Sequence, residues 1–112
     1  MVLYYDSRAH KKKATIIKEF ENNGRKFRWI KVDQEKPHLY IDIDGYDKYW
    51  ISRKGNVYSD YVHRILKGGY SYRPNEVNHL LIKLNEDVLY IPQLLYDNWL
   101  LQDYKEETYE EN

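Results

Sequence analysis

The chain has no cysteine among its 112 residues, which excludes disulfides and zinc–thiolate sites as sources of stability. No apolar run approaches the ~20 residues that a membrane-spanning helix needs. The N-terminus also lacks the basic-then-apolar pattern of a secretion signal. We therefore expect a cytoplasmic protein with no membrane partner. The length predicts a single domain over residues 1–112, with a core that needs no cross-links.

The common signatures of catalysis are also missing. The sequence contains no Gly-x-Ser-x-Gly nucleophile elbow, no phosphate-binding loop and no dinucleotide-binding glycine motif. None of its four histidines lies three or four positions from a second metal ligand within a predicted helix. Asp42 and Asp44 are typical of the solvated face of a strand, although paired carboxylates also suit a metal or acid–base chemistry. We expect a protein that is not an enzyme and that holds neither a metal nor another cofactor.

The zero net charge of the chain conceals a gradient. Residues 1–31 carry nine Lys/Arg and three Asp/Glu, residues 32–100 carry eight and ten, and residues 101–112 carry one and five. A basic front and an acidic tail predict a charged partner surface at one end of the chain, although solubility alone explains the same pattern.

The N-terminal part, residues 1–33, predicts a strand, a helix and a second strand. Apolar side chains recur at helical spacing over residues 7–23, and Asn23-Gly24 is expected to end that helix as a left-handed C-cap. Residues 25–33 then alternate as a strand. Four side chains are expected in the core: Ile16, Ile17, Phe20 and Trp29.

The stretch from Leu39 to Lys67 predicts an antiparallel meander, because short alternating segments are separated by turns that contain glycine. A hairpin with its turn at residues 85–87 follows. Pro92 suits the first position of a helix that is expected to end near Tyr104, and residues 105–112 form an acidic tail. The predicted fold class is α+β: an antiparallel sheet of about five to seven strands with an N-terminal and a C-terminal helix packed on it.

The meander and the residues after it also carry a resemblance to a known family. The pattern is Gly45-Tyr46-x-x-Tyr49-x-Ile51-Ser52-x-x-Gly55-x-Val57-x-Ser59, followed by Arg64-x-Leu66-Lys67. Over residues 39–100 the chain resembles the small module that lies beside HNH nuclease cores in phage and intron homing endonucleases. The resemblance implies binding of double-stranded DNA.

The nuclease part of such proteins is missing here. An HNH core carries an Asn-His pair at the end of a strand, and Asn78-His79 is the one candidate. An apolar run follows it at once, and no histidine comes later. We therefore expect a structural histidine at a strand edge and no cleavage activity.

Basic residues among tyrosines are the predicted contacts to nucleic acid, because cations neutralise phosphates while aromatic rings pack on sugars or bases. A solvated turn or helix face explains the same residues without any ligand. The predicted set is Arg53, Lys54, Arg64, Lys67, Tyr70, Tyr72, Lys11 and Lys12, and Lys13 extends the last pair.

Two functions are consistent with these features. The first is a non-catalytic, nucleic-acid-binding accessory protein of phage type. The alternative is a phage-encoded inhibitor that binds a host protein through a tyrosine-rich or acidic surface. The acidic surface would comprise Asp103, Glu106, Glu107, Glu110 and Glu111. The sequence leaves the oligomeric state open.

Overall fold

The structure, a computed structural model, describes residues 3–4, 9–66, 70–71 and 81–100, and these are mostly antiparallel strands. No helix in these ranges is long and apolar enough to cross a membrane. The last element is a π-helical segment, Tyr96–Leu100, which follows the only α-helix of these ranges. The others, in chain order, are β1 (Leu3–Tyr4), β2 (Ala9–Asn22), β3 (Arg25–Val32), β4 (His38–Ile43), β5 (Tyr46–Ser52), β6 (Val57–Ser59), β7 (Arg64–Leu66), β8 (Tyr70–Ser71), β9 (Leu81–Leu84), β10 (Asp87–Tyr90) and α1 (Ile91–Leu95).

Six strands, β2 to β7, form one sheet in which each strand pairs antiparallel with the next and the sheet closes on itself. The length of β2 makes this closure possible. Its first part pairs with β7, and the rest of it pairs with β3. The six strands are therefore left without a free edge. The pairs β1–β8 and β9–β10 form two small separate sheets.

The sheet has two faces with separate cores, because successive side chains of a strand point to opposite sides. One cluster joins Phe27, Ile41 and Ile51 to side chains of β9 and of the C-terminal helical turns. Because those elements lie outside the closed sheet, we call this the outer face. The second cluster takes at least one residue from each of the six strands and none from any other element, as the interior of a closed sheet does. Its members are Ile30, Tyr40, Trp50, Tyr58 and Ile65, with Ala14 and Val32 packed against them.

The helix predicted for residues 7–23 is wrong, because this part of the chain forms β2. Asn23 and Gly24 have positive φ angles of 52° and 78°, and the flanking residues Asn22 and Arg25 pair directly. Positive φ at both central residues is what a two-residue type I′ hairpin requires. Asn23-Gly24 therefore forms the hairpin turn between β2 and β3. Its predicted role as a helix C-cap is wrong.

A β-bulge explains why the strand resembled a helix in sequence. The register of β2 against β3 shifts between Ile16 and Lys18, so that Ile17 is an extra residue. The extra residue breaks the alternation of the strand and places apolar side chains at near-helical spacing. The predicted burial is wrong for Ile16 and Ile17, which are exposed, whereas Phe20 is half-buried and Trp29 is buried.

We expect Ile17→Ala to lower the free energy of unfolding by less than about 1 kcal/mol, because the Ile17 side chain is already 37% exposed. Urea denaturation measures the change. The matched control is Ile51→Ala, which removes the same atoms from a fully buried site and is expected to cost about 2–5 kcal/mol. Equal losses from the two variants would place Ile17 in the core and contradict its exposure.

The helix predicted from Pro92 to Tyr104 is also wrong, because α1 has five residues and gives way to the π-helical segment. Residues 101–104 lie outside the described residues. The buried side chains Leu94 and Trp99 are five positions apart, a spacing that the wider π turn brings to one side. The Asn98 side chain supports this turn by donating to the Leu94 carbonyl oxygen over 2.8 Å. The fold is therefore a closed antiparallel sheet, without the two flanking helices of the predicted α+β class.

Candidate nucleic-acid interface

The predicted basic turn lies between β5 and β6 and packs against the C-terminal helical turns. The guanidinium carbon of Arg53 lies 4.3 Å from the centre of the Trp99 ring, a cation–π contact. Gly55 has a φ of 88°, and a Cβ there would lie 3.1 Å from the Ile91 side chain, so glycine suits this position on both counts. Arg53 and Lys54 both remain exposed. The turn can therefore contact a phosphate while Arg53 keeps its cation–π contact with Trp99.

Arg64, another predicted cation, lies at the opposite end of these strands. It begins β7 and pairs with Ser59 of β6, which in turn pairs with Tyr49 of β5. Arg53 follows Tyr49 by four residues, and a strand rises about 3.3 Å per residue. The basic turn and Arg64 are therefore separated by roughly 13 Å along the sheet. The structure does not bring these predicted residues into one cluster.

Arg64 instead lies beside a cation of β2. Lys13 is its direct partner in the ladder between β2 and β7, and directly paired residues project from the same face of a sheet. The residues that follow them, Ala14 and Ile65, belong to the enclosed core. Because neighbours in a strand alternate, Lys13 and Arg64 project from the outer face. Both are exposed.

Two more lysines lie on the same face. Thr15 pairs with Lys31, and Lys18 pairs with Trp29, whose side chain packs in the outer core. Lys18 is exposed and Lys31 is half-buried. The outer-face cations of β7, β2 and β3 thus form a staggered row across three strands, in which only Lys13 and Arg64 are directly paired. We call this row the basic strip: Lys13, Lys18, Lys31 and Arg64.

Within the described residues of β2, β3 and β7, no acid projects from the outer face. Arg28 holds two acids away from it, with Nε 2.6 Å from Glu19 Oε1 and Nη1 2.8 Å from Asp60 Oδ1. Burial lowers the pKa of Arg28, but the hydrogen bonds and charges of these two carboxylates outweigh it, and the pKa is raised. One acid, Asp33, borders the strip, because its backbone N–H donates to the Lys13 carbonyl oxygen over 2.7 Å.

The other predicted contacts are only partly described. The structure gives the backbone of Lys11 and Lys12 in β2 and of Tyr70 in β8, but not their side chains. Lys67 and Tyr72 lie outside the described residues. All five stay predictions. The backbone of Lys11 and Lys12 lies in β2 between two pairs with β7, Ala9–Leu66 and Lys13–Arg64. The first pair is on the side of the basic turn, and the second belongs to the basic strip.

Lys18 and Lys31 were not predicted as members of this surface. Lys18 lies in the segment that was predicted as a helix, and Lys31 lies in the strand predicted after it. A signal was present in the Asn23-Gly24 pair, because Asn-Gly between two extended segments is a strong hairpin signal. A hairpin centred there brings the lysines of β2 beside those of β3.

Three features of the described residues bear on possible chemistry. They contain no group of three or more potential metal ligands. The carboxylate of Asp42, one of the paired acids, forms an ion pair with Arg25 at 3.1 Å. The Tyr58 hydroxyl lies 3.3 Å from Nδ1 of His63. Burial raises the pKa of Tyr58, and the charge of Asp60 raises it further, which opposes formation of a phenolate nucleophile.

No protein family, characterised protein or solved structure matches the chain. The resemblance to the module of homing endonucleases therefore stays a prediction based on the residues of its pattern. Evidence about function therefore comes from the geometry of the basic strip.

Proposed function

We propose that the protein binds nucleic acid through the basic strip and does not cleave it, with double-stranded DNA as the partner that the sequence pattern predicts. The observation that supports this most is the direct pairing of Lys13 with Arg64 across two strands. Two cations held side by side on one face of a sheet give a local positive potential that attracts a phosphate. Phosphate contacts of this kind supply affinity and orientation and carry no sequence information.

The surroundings of the strip support the same function. Lys13 and Lys18 are exposed and Lys31 is half-buried, so a polyanion can reach them. None of the three forms an ion pair with another described residue. Arg28 forms ion pairs with the carboxylates of Glu19 and Asp60 on the other face of the sheet. The strands of a closed sheet also hold the four cations at fixed spacings. Such fixed positions reduce the entropy that binding costs.

The salt dependence of binding tests the proposal. Four phosphate contacts predict that the logarithm of the binding constant falls with the logarithm of salt concentration at a slope of about −3.6. We expect Lys13→Ala/Arg64→Ala to weaken binding of a mixed duplex pool and to reduce that slope by about 1.8. Fluorescence anisotropy between about 50 and 200 mM salt measures both quantities.

The matched control is Lys26→Ala/Lys48→Ala, which removes the same charge from two exposed lysines outside the strip. It is expected to leave the slope close to that of the wild type. Equal effects of the two double variants would show that only net charge matters, and no shift of duplex even at low salt would refute the proposal. The same mixtures with Mg²⁺ or Mn²⁺ should leave plasmid DNA intact, which also tests His79 outside the described residues.

Binding of a host protein is the second candidate. Several large apolar side chains near the C-terminal end of the described chain are exposed, among them Tyr90, Tyr96 and Leu100. Exposed large apolar side chains are candidates for contact with a partner protein. This candidate predicts negligible DNA affinity at physiological salt. It also predicts recovery of one stoichiometric partner from host lysate, lost in Tyr96→Ala and retained in Lys13→Ala/Arg64→Ala.

A further inference from the structure

The turn between β6 and β7, residues 60–63, presents an aromatic side chain to solvent. Tyr61 is 61% exposed, and Val62 beside it is also exposed. The Tyr61 ring is tilted against the ring of Tyr49, with the two centroids 5.7 Å apart and an angle of 54° between the planes. Tyr61 therefore rests on the outer face of the sheet and leaves most of its own surface uncovered.

The backbone of this turn is held in place by the strands beside it. Two N–H groups donate to Ser59, from Tyr61 to Oγ over 3.1 Å and from His63 to the carbonyl oxygen over 2.8 Å. The Asp60 N–H donates to the Lys48 carbonyl oxygen over 2.8 Å. The Asp60 carboxylate accepts from Arg28 at 2.8 Å. The base of the turn is thus fixed before any ligand arrives, which lowers the cost of binding through Tyr61.

Tyr61 also lies close to the basic strip. Its neighbour Tyr49 belongs to one row of directly paired residues that crosses four strands, through Ser59 and Arg64 to Lys13. Neighbouring strands are about 4.8 Å apart, so Arg64 lies roughly 10 Å from Tyr49 along this row. An exposed ring and a pair of cations therefore share one stretch of the outer face.

We infer that the strip takes a single-stranded segment of DNA, with an unpaired base stacked on Tyr61 and the adjoining phosphates on Arg64 and Lys13. In a duplex the bases are stacked on each other, and their faces are not available to a protein ring. An unpaired base offers its face to any exposed aromatic side chain, whatever its sequence. The inference rests on the proposed function: it keeps the basic strip as the binding surface and replaces the duplex partner with an unpaired stretch of DNA.

Two probes test this inference: a labelled mixed-sequence single strand, and the duplex formed from that strand and its complement. We expect the wild-type protein to bind the single strand more tightly than the duplex. Loss of one stacking contact in Tyr61→Ala should lower affinity for the single strand roughly 5- to 150-fold. Affinity for the duplex and the salt slope should not change, because a lost stacking contact releases no counterion.

Tyr61→Phe, which keeps the ring, should bind the single strand like the wild type, and so should Tyr96→Ala, which removes an exposed tyrosine elsewhere. Thermal melts check that all variants are folded. An unchanged affinity of Tyr61→Ala for the single strand, or tighter binding of the duplex by the wild type, would overturn the inference while the proposed function stands. No binding of either probe at low salt would overturn the proposed function itself.

Discussion

Trp99→Ala is expected to lower the free energy of unfolding by about 3–5 kcal/mol. The side chain is 4% exposed and packs on Phe27, with ring centroids 5.9 Å apart. Its Nε1–H donates to the Ile51 carbonyl oxygen over 2.9 Å. The substitution therefore opens a cavity between the closed sheet and the C-terminal helical turns and leaves a buried carbonyl without its donor. Urea denaturation, followed by circular dichroism at an unchanged m value, measures the loss.

Two controls separate the contributions of Trp99. Trp99→Phe keeps a ring in the core and removes the hydrogen bond, so it should cost less than the alanine variant. Arg53→Ala removes the cation that rests on the indole ring and leaves the ring in place; loss of the cation–π contact is expected to cost about 0.5–1 kcal/mol. A Trp99→Ala variant as stable as Arg53→Ala would mean that the C-terminal turns do not contribute to the core, contrary to their packing.

Trp50→Ala is expected to have a similarly large effect, about 3–5 kcal/mol, at the other core. Trp50 is 3% exposed and lies inside the closed sheet. The Arg28 guanidinium carbon stacks 4.0 Å from the centre of its ring, and its Nε1–H donates to Asp60 Oδ2 over 3.3 Å. The closed sheet limits how far the surrounding strands can relax into the space, so the cavity persists.

Denaturant unfolding of Trp50→Ala beside Trp50→Phe and Ile17→Ala tests this expectation. The phenylalanine variant fills most of the space and should lose clearly less stability, and Ile17→Ala should lose almost none. A small loss in Trp50→Ala would mean that the sheet does not enclose a packed core. Trp50 also contacts Arg28 and Asp60, which position the turn that carries Tyr61. The Trp50→Ala variant should therefore be tested for DNA binding only after its stability is known.

The second half of the sheet was predicted correctly from the sequence, whereas the first hairpin was not. The strands of the meander are local and are joined by turns at Gly45 and Gly55, both with positive φ, so they were predictable from spacing. The first hairpin was not, because the bulge at Ile17 disturbed the alternation. The choice between a helix cap and a hairpin turn at Asn23-Gly24 depends on whether a partner strand pairs there.

The candidate site shows the same division. Arg53, Lys54 and Arg64 could be predicted as contacts to nucleic acid, because basic residues at turns and strand ends can be recognised in the sequence. Their separation by roughly 13 Å along the sheet was not visible, because it depends on the register of β5, β6 and β7. The partnership of Arg64 with Lys13 joins residues that lie 51 positions apart in the chain, and it exists only because β2 closes the sheet.

Composition and local pattern by themselves determined the lack of cysteine chemistry, the turns at Gly45 and Gly55, and the extended conformation of β3 to β6. These features depend on neighbouring residues and on the backbone freedom of single positions. Only the tertiary structure decided that residues 9–22 are a strand, that one core is enclosed by the sheet, and that four cations align on one face. Those outcomes depend on which strand pairs with which and in what register, and cross-strand pairing joins residues that local sequence does not relate.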